Sequence, residues 1–205
     1  MSESKTNAPE KLSDELERWL TGDGDRTLGG LANLFAERSF AILFVLLLAL
    51  PALPLPTGGA THVFELIAML VALQLIAGRD EIWLPKRWRK RELGGGKSEK
   101  FLTTLMKLIR RLERFSRPRL AFLFDHRLSN IVFGLLVIGG SVGAFVAPPF
   151  TGLDTLPALG VVLLSLGVLM KDSLIVAAAL VIGTVGVALE IVLGTAAIRG
   201  IWKIF

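Results

Sequence analysis

The sequence predicts an all-α, polytopic membrane protein with two repeated helical hairpins and additional amphipathic interfacial helices. Proline and glycine are expected to interrupt the helices at the turn of each hairpin. The two arms of a hairpin either cross the bilayer or re-enter it. The chain is 52% hydrophobic with a mean hydropathy of +0.60, more apolar than an ordinary soluble domain. Its apolar residues form five blocks, at 40–55, 63–78, 131–150, 156–170 and 174–198. We therefore expect one membrane domain over residues 1–205.

The first 39 residues contain no long apolar run. We expect residues 1–9 to be a disordered tail and residues 10–38 to form interfacial helices. Leu12, Leu16 and Leu20 share one helical face, which suits a helix lying on a membrane or a partner. No cleavable signal peptide is recognisable, so we expect the N-terminus to stay in the cytoplasm.

The first hairpin, residues 40–78, contains two apolar runs of about 16 residues that are joined by a turn with Pro51, Pro54 and Pro56. As a helix, each run would be roughly 24 Å long, whereas the hydrocarbon core of a bilayer is about 30 Å thick. Each proline removes a backbone donor, so the turn must be buried in protein or face water. Thr61 is positioned to cap the returning arm.

The linker at 79–119 contains fourteen of the 23 Lys and Arg residues. A basic segment between membrane helices marks the cytoplasmic face. Residues 98–115 have an amphipathic pattern that favours a helix in the membrane interface, with a coiled-coil partner as the alternative. The apolar stripe of this predicted helix consists of Phe101, Leu105, Leu108, Leu112 and Phe115. We expect the linker to bind anionic lipid headgroups and not nucleic acid. The candidate headgroup ligands are Lys86, Arg87, Arg89, Lys90, Arg91, Lys107, Arg110, Arg111 and Arg114.

The second hairpin, residues 124–172, repeats the order of the first: charged entry, apolar arm, Pro/Thr/Gly turn, apolar arm, charged exit. Its alignment with the first hairpin matches Arg38 with Arg127, Thr57-Gly58 with Thr151-Gly152, and Arg79-Asp80 with Lys171-Asp172. Repeated broken helices build the binding sites of many transporters. Because the linker cannot cross, both hairpins should open to the cytoplasm. A C-terminal membrane segment at 174–198 is either one crossing or a third hairpin bent near Gly183, and the side of the C-terminus stays open.

Polar residues in or beside the hairpins are candidates for a transport pathway or substrate site. Glu65 and Gln74 lie within an apolar arm, where polar groups are uncommon and often functional. A helix-dipole contact or a packing hydrogen bond is the alternative for them. The charged flanks either line a vestibule for a phosphate or anionic sugar or anchor the topology. The candidates are Arg38, Pro54, Pro56, Thr57, Gly58, Glu65, Gln74, Arg79, Asp80, Arg127, Pro148, Thr151, Gly152, Lys171 and Asp172.

Other features favour structural roles. Asp154 is expected to cap a helix, and Glu190 to lie at the membrane interface rather than be buried. With no cysteine and only His62 and His126 as imidazoles, we expect no disulfide, metal site or cofactor. No catalytic combination of residues is recognisable, so we expect no enzyme. The small residues at 139–143 permit close helix contact, within one chain or in the homodimer that we expect.

Several motifs resemble those of one family. LPALPLPTG at 50–58, QLIAGRDEIWLP at 74–85, RPR at 117–119 and Thr27-Leu28-Gly29 resemble the ExoD family of bacterial exopolysaccharide-synthesis membrane proteins. The resemblance extends from about residue 12 to residue 198. It implies a bacterial inner-membrane protein that is linked to exopolysaccharide production, and it brings no catalytic motif. The paired hairpins are also similar to those of DedA-type lipid transporters, which is an analogy of fold alone.

Two functional hypotheses follow. The first is a transporter or scramblase-like protein that handles a lipid-linked sugar, a lipid or a small anion. The second is a scaffold or regulator that binds polysaccharide-synthesis proteins through the basic helix at 98–115. A membrane transferase is a third alternative, for which the sequence offers no catalytic residues.

Overall fold

The structure, a computed structural model, describes most of the apolar part of the chain. The described residues are 14, 17–18, 39–53, 61–79, 82–83, 85, 106–114, 116–117, 119, 122, 126–147 and 151–202. Within these ranges the regular elements are helices and no strand occurs, which confirms the all-α class. The predicted tail at 1–9 lies outside them.

Among the described residues, five helices form the body of the protein, in addition to the helical segment 106–114. They are α1 (Ser39–Ala49), α2 (His62–Ile76), α3 (Arg127–Val146), α4 (Thr155–Leu169) and α5 (Ser173–Trp202). Two of the described segments, Arg127–Val146 and Ser173–Ala196, are long and apolar enough to cross a membrane. The other three helices are shorter: α1 has 11 residues, and α2 and α4 have 15 each. Their lengths of about 16 and 22 Å are too short for a full crossing unless the bilayer is locally thinner.

The C-terminal segment is one continuous helix. α5 contains 30 residues and passes through Gly183 without interruption, so the alternative of a third hairpin bent there is wrong. The reason is that Gly183 is used for packing: its Cα lies against Gly160 of α4. Small residues let two helix backbones approach this closely.

Neighbouring helices α2 to α5 pack antiparallel. Phe145, near the end of α3, contacts His62 at the start of α2, with ring centroids 5.1 Å apart. Gly140 of α3 faces Val161 of α4, and Gly160 faces Gly183 of α5. The N-termini of α2 and α4 therefore lie at one end of the bundle, here called the turn end, and their C-termini at the other, the linker end. α5 starts at the linker end, so its C-terminal half lies at the turn end.

α2 and α4 end in the same way. After α2, Gly78 adopts a positive φ of 76°, and after α4, Lys171 adopts a φ of 50°. In both cases the following amide donates to a carbonyl five residues back, from Arg79 to Gln74 (3.1 Å) and from Asp172 to Gly167 (2.9 Å). This is the Schellman pattern of helix ends. The structural match thus pairs Gly78 with Lys171, one residue away from the pairing in the sequence alignment.

α1 is the most buried helix. Phe40–Ala49 is at most 8% exposed except at the partly buried Leu46, and Phe44 packs edge-on against Phe133 at 5.6 Å. In contrast, α2, α3 and α5 expose large apolar side chains such as Leu70, Leu135 and Val181. An apolar exterior around an apolar centre is the expected pattern for helices surrounded by lipid.

Residues 106–114 are helical and use one face for the protein core. Met106 and Ile109 are buried, and Leu108 and Leu112 pack partly against the core. The predicted apolar stripe also included Phe101, Leu105 and Phe115, which lie outside the described residues. Part of the stripe therefore contacts protein rather than lipid, and placement in the membrane interface stays a prediction.

Candidate functional site

The apolar segments of this chain contain few ionisable side chains. Residues 40–78, 128–170 and 173–198 together contain four: His62, Glu65, Asp154 and Glu190. The fold gathers all four at the turn end. His62 and Glu65 begin α2, Asp154 immediately precedes α4, and Glu190 lies on the part of α5 that faces the end of α3. We call these four residues the carboxyl cluster.

Glu65 is completely buried, with 0% of its surface exposed. Its Oε2 lies 2.9 Å from Nδ1 of His62, one turn earlier in the same helix, whereas its Oε1 has no hydrogen-bond partner among the described residues. The His62 side chain is 25% exposed. His62 therefore connects a buried carboxyl group to the surface of the bundle.

Asp154 joins the two helix N-termini. The hydroxyl of Thr61, which precedes α2, donates to Oδ2 of Asp154 at 3.4 Å. Neither side chain makes the capping hydrogen bond to its own helix that the sequence predicted, so that interpretation is wrong for both. The physical reason is a tertiary contact: the two side chains bond to each other across the bundle and not to the N-termini of their own helices.

Glu190 is buried at 6% exposure, so the expectation that it is not buried is wrong. Gly143 leaves the space for it: a Cβ at Gly143 would lie 3.8 Å from Oε2 of Glu190. Both carboxyl oxygens of Glu190 lack a hydrogen-bond partner in the described structure, as do the hydroxyls of Ser141 and Thr155. An unsatisfied buried polar group costs about 1–3 kcal/mol, which points to a ligand or a function.

An apolar groove adjoins the cluster. It lies between α3, α4 and α5 and has a volume of about 470 Å³. Four glycines line it, Gly139, Gly140, Gly160 and Gly183, and Pro157 and Val187 belong to its wall. Pro157 and Val187 also contact the Gly143 position beside Glu190, so the groove reaches the cluster. We call this feature the glycine groove.

Gln74 lies away from the cluster, near the end of α2. Its Oε1 accepts from the backbone N–H of Trp83 at 2.8 Å, and its Nε2 donates to the Trp83 carbonyl at 3.3 Å. The amide thereby fixes the path of the chain after α2. These bonds give Gln74 a structural role, and its pathway role stays a prediction.

Asp172 connects the linker to the turn between α4 and α5. It is 1% exposed and accepts hydrogen bonds from the backbone N–H groups of Arg117 (2.9 Å) and Leu174 (3.0 Å). The Arg119 guanidinium lies 3.7 Å away. Burial alone would raise the pKa of Asp172, but these donors and the nearby positive charge outweigh burial and lower it.

The predicted pathway residues do not meet in one vestibule within the described structure. Glu65, Thr151 and Gly152 lie at the turn end. Gln74, Arg79, Arg127, Lys171 and Asp172 lie at the linker end, the full length of α4 away. Thr151 and Gly152 shape a turn, since the Thr151 hydroxyl accepts from Leu153 at 3.3 Å and Gly152 has a φ of 69°.

Twelve candidates fall outside the described residues. They are Arg38, Pro54, Pro56, Thr57, Gly58, Asp80, Lys86, Arg87, Arg89, Lys90, Arg91 and Pro148. The remaining headgroup candidates, Lys107, Arg110, Arg111 and Arg114, are exposed on the helical segment 106–114, where Arg110 pairs with Glu17.

Sequence reasoning missed Glu190 and the assembly of the cluster. The available signal was that Glu65 and Glu190 are the only ionisable residues in the five apolar blocks of the sequence, although this does not show that they come together. Among the described side chains, no three of His, Asp and Glu are grouped so as to hold a metal ion.

Comparison with known proteins identifies the family. A family model described as "Exopolysaccharide synthesis, ExoD" matches residues 12–192. The chain belongs to the ExoD family. Membership confirms the resemblance, links the chain to exopolysaccharide synthesis and, with two candidate membrane spans, suggests a membrane location.

Two relatives illustrate the family. Over 155 residues the chain is 36% identical to Protein ExoD of Rhizobium meliloti, an alignment that covers 74% of this chain and 63% of that protein. It is also 32% identical over 174 residues to an uncharacterized protein of Synechocystis, with 83% of this chain and 81% of that protein covered. No solved structure matches the chain.

Proposed function

We propose that this ExoD-family protein is an integral membrane transporter or scramblase-like protein that handles a lipid-linked sugar during exopolysaccharide synthesis. The observation that carries the proposal is the contact between the carboxyl cluster and the glycine groove. An amphiphile needs a polar site for its head and an apolar surface for its chain. The two features lie side by side at Gly143, Pro157 and Val187.

The cluster favours a hydroxyl-rich head group. Carboxyl oxygens are acceptors, and three oxygens of Glu65 and Glu190 have no hydrogen-bond partner among the described residues. Sugar hydroxyls donate hydrogen bonds to such acceptors.

The groove favours a hydrocarbon chain. Its volume of about 470 Å³ is within the range of roughly 300–1,000 Å³ that small-molecule sites occupy. Its glycine floor permits close approach of a ligand to the helix backbones. Leu135 and Leu180 provide an apolar rim.

The proposed topology follows the charge distribution. The N-terminus and the linker at 79–119 lie on the cytoplasmic side of the bacterial inner membrane, and the turn end lies toward the opposite side. Two hairpins, α1–α2 and α3–α4, are the proposed repeats, which the equal lengths and equal C-terminal motifs of α2 and α4 support. The protein acts as a homodimer and without catalysis.

Reconstitution tests the proposal. Purified protein is incorporated into liposomes that contain a labelled polyprenyl-linked sugar, and the fraction of label accessible from outside is followed with time. We expect faster equilibration between leaflets than in protein-free liposomes. Equal rates for this substrate, with protein shown to be folded and inserted, would contradict the proposal.

A second candidate function is a non-transporting scaffold or regulator of the polysaccharide machinery. The exposed side chains of Lys107, Arg110, Arg111 and Arg114 favour it, since they form a continuous basic surface opposite the buried Met106 and Ile109. Such a surface binds anionic headgroups or an acidic partner. Replacing Lys107, Arg111 and Arg114 by Glu should then reduce polysaccharide output, and unchanged output would contradict this role.

A further inference from the structure

The carboxyl cluster has an excess of acidic groups. Glu190 is within electrostatic range of Asp154 and Glu65, and Glu65 is within range of Asp154 and His62. His62 is the one basic side chain in the apolar segments. The facing part of α3 contributes the hydroxyl of Ser141, and α4 contributes that of Thr155, and neither can carry a compensating charge.

The sequence segments that connect α1 to α2 and α3 to α4 add no positive charge. Residues 50–60 and 147–153 contain no Lys, Arg or His, as the sequence shows. Three ionised carboxylates beside one imidazole would therefore leave net negative charge in a buried place. Burying an uncompensated charge is so unfavourable that the group is neutralised instead, and a proton is the simplest means.

The hydrogen bonds of the cluster show which of the three carboxyl groups would be uncompensated if ionised. Oε1 of Glu65 and both oxygens of Glu190 have no hydrogen-bond partner in the part of the chain that the structure describes, although these residues are 0% and 6% exposed. Asp154, in contrast, accepts from Thr61 and is only half-buried. Glu65 and Glu190 are therefore the two groups that require a bound cation.

We infer that the carboxyl cluster is a proton-binding site, in which Glu65 and Glu190 hold a proton in the folded protein and His62 exchanges it with the exterior. His62 is placed for this role because its Nδ1 lies 2.9 Å from Oε2 of Glu65 and its side chain reaches the surface. An imidazole ring has two nitrogens, so one can take up a proton from the carboxyl group while the other releases one, which suits a relay. Proton binding is measured without transport, so its failure is distinguishable from failure of the proposed function.

The first test is the pH dependence of unfolding of the full chain in mild detergent. Between about pH 7.5 and 9 ordinary Glu is ionised and ordinary His is neutral, so a proton held only by the folded state makes the protein less stable as pH rises. Each such proton raises the unfolding constant by up to about tenfold per pH unit. Glu190→Gln and Glu65→Gln carry neutral isosteres and should reduce this slope.

Glu17→Gln provides the matched control, because Glu17 is exposed and belongs to an ion pair with Arg110 outside the cluster. The control should keep the wild-type slope. A wild-type slope of zero over this range, or equal slopes in the wild type and both cluster variants, would overturn the inference.

The second test requires no variant. Dicyclohexylcarbodiimide modifies protonated carboxyl groups in apolar surroundings, and mass spectrometry of the wild-type protein identifies the modified residues. We expect modification at Glu65 or Glu190 that decreases as pH rises. Absence of modification at both residues, in protein shown to be folded, would overturn the inference.

A third experiment on the same detergent-solubilised protein distinguishes a bound proton from a bound metal cation. At about pH 9, sodium chloride is compared with choline chloride at equal ionic strength. A proton site predicts equal stability in the two salts. Stabilisation by sodium that is lost in Glu190→Gln would assign the site to a metal cation and overturn the proton assignment.

Discussion

Thr61 and Asp154 hold equivalent positions in two helices of equal length and are joined to each other. Each immediately precedes a 15-residue helix, and their side chains meet at 3.4 Å although 93 residues separate them. The bond places the positive dipole ends of α2 and α4 beside the carboxyl cluster. Glu190 lies within α5, so the positive end of its own helix dipole is far from its carboxyl group. The negative charge of an ionised Glu190 would therefore be the least compensated of the three.

The link between the two helix ends is expected to contribute to stability. Thr61→Val removes the donor to Asp154 and should lower the free energy of unfolding by about 1–2 kcal/mol. Thr155→Val is the matched control, because the buried Thr155 hydroxyl has no hydrogen-bond partner within the described ranges and its loss should be neutral or stabilising. Chemical unfolding in detergent measures both variants. Equal effects would show that the Thr61–Asp154 bond is not a specific link.

The contact between α4 and α5 predicts that alanine substitutions at its two glycines have unequal effects on stability. A Cβ on Gly160 would lie 2.6 Å from the Cα of Gly183, whereas a Cβ on Gly183 would lie 3.7 Å from the Cα of Gly160. Gly160→Ala should therefore destabilise the protein by about 1–3 kcal/mol through overpacking against backbone. Gly183→Ala should be neutral, or stabilising by up to about 1 kcal/mol from helix propensity. Thermal unfolding of the two variants in one detergent checks the order, and a less stable Gly183→Ala would refute the packing.

Asp172 predicts a dependence on acid pH. Its folded-state pKa is lowered, so its contribution is complete above the ordinary value of about 3.9 and is lost as pH falls through the lower folded value. At neutral pH, Asp172→Asn should cost about 1–3 kcal/mol, because the buried acceptor of the Arg117 and Leu174 amides is weakened. The difference from the wild type should shrink on acidification below about pH 4.

Asp14→Asn controls for this experiment, since Asp14 is exposed. It should leave the unfolding free energy unchanged at neutral pH. A difference between wild type and Asp172→Asn that stays constant down to the lowest accessible pH would contradict the assigned role of the Asp172 charge.

Much of the fold was predictable because it depends on local composition. The apolar blocks at 131–150 and 174–198 predicted α3 and α5, and the prolines after residue 50 predicted the end of α1. Gln74 was harder to interpret, because a polar residue in an apolar helix has the same sequence pattern whether it lines a pathway or, as here, bonds to Trp83.

The carboxyl cluster was not predictable from local pattern. Glu65 and Glu190 lie at the same end of the bundle because the antiparallel packing of three helix pairs fixes their positions along the bundle axis. Gly143 has no side chain and so leaves space for the buried carboxyl group of Glu190. Asp154 had the sequence context of a cap, but its partner Thr61 is distant in the chain. Tertiary contacts of this kind override the conformation that the local sequence favours.

The most direct test of the proposed function uses two glycines that both have open space for a side chain. Gly139 lines the glycine groove and Gly194 does not, and a Cβ on either would meet nothing within 4 Å. Gly139→Leu therefore fills the groove without disturbing the fold, and Gly194→Leu makes the same change outside it. Both variants are reconstituted with the labelled polyprenyl-linked sugar, and their mass in mild detergent controls for altered assembly. We predict that Gly139→Leu abolishes the acceleration between leaflets and Gly194→Leu preserves it; equal rates for the two variants would contradict a substrate path through the groove.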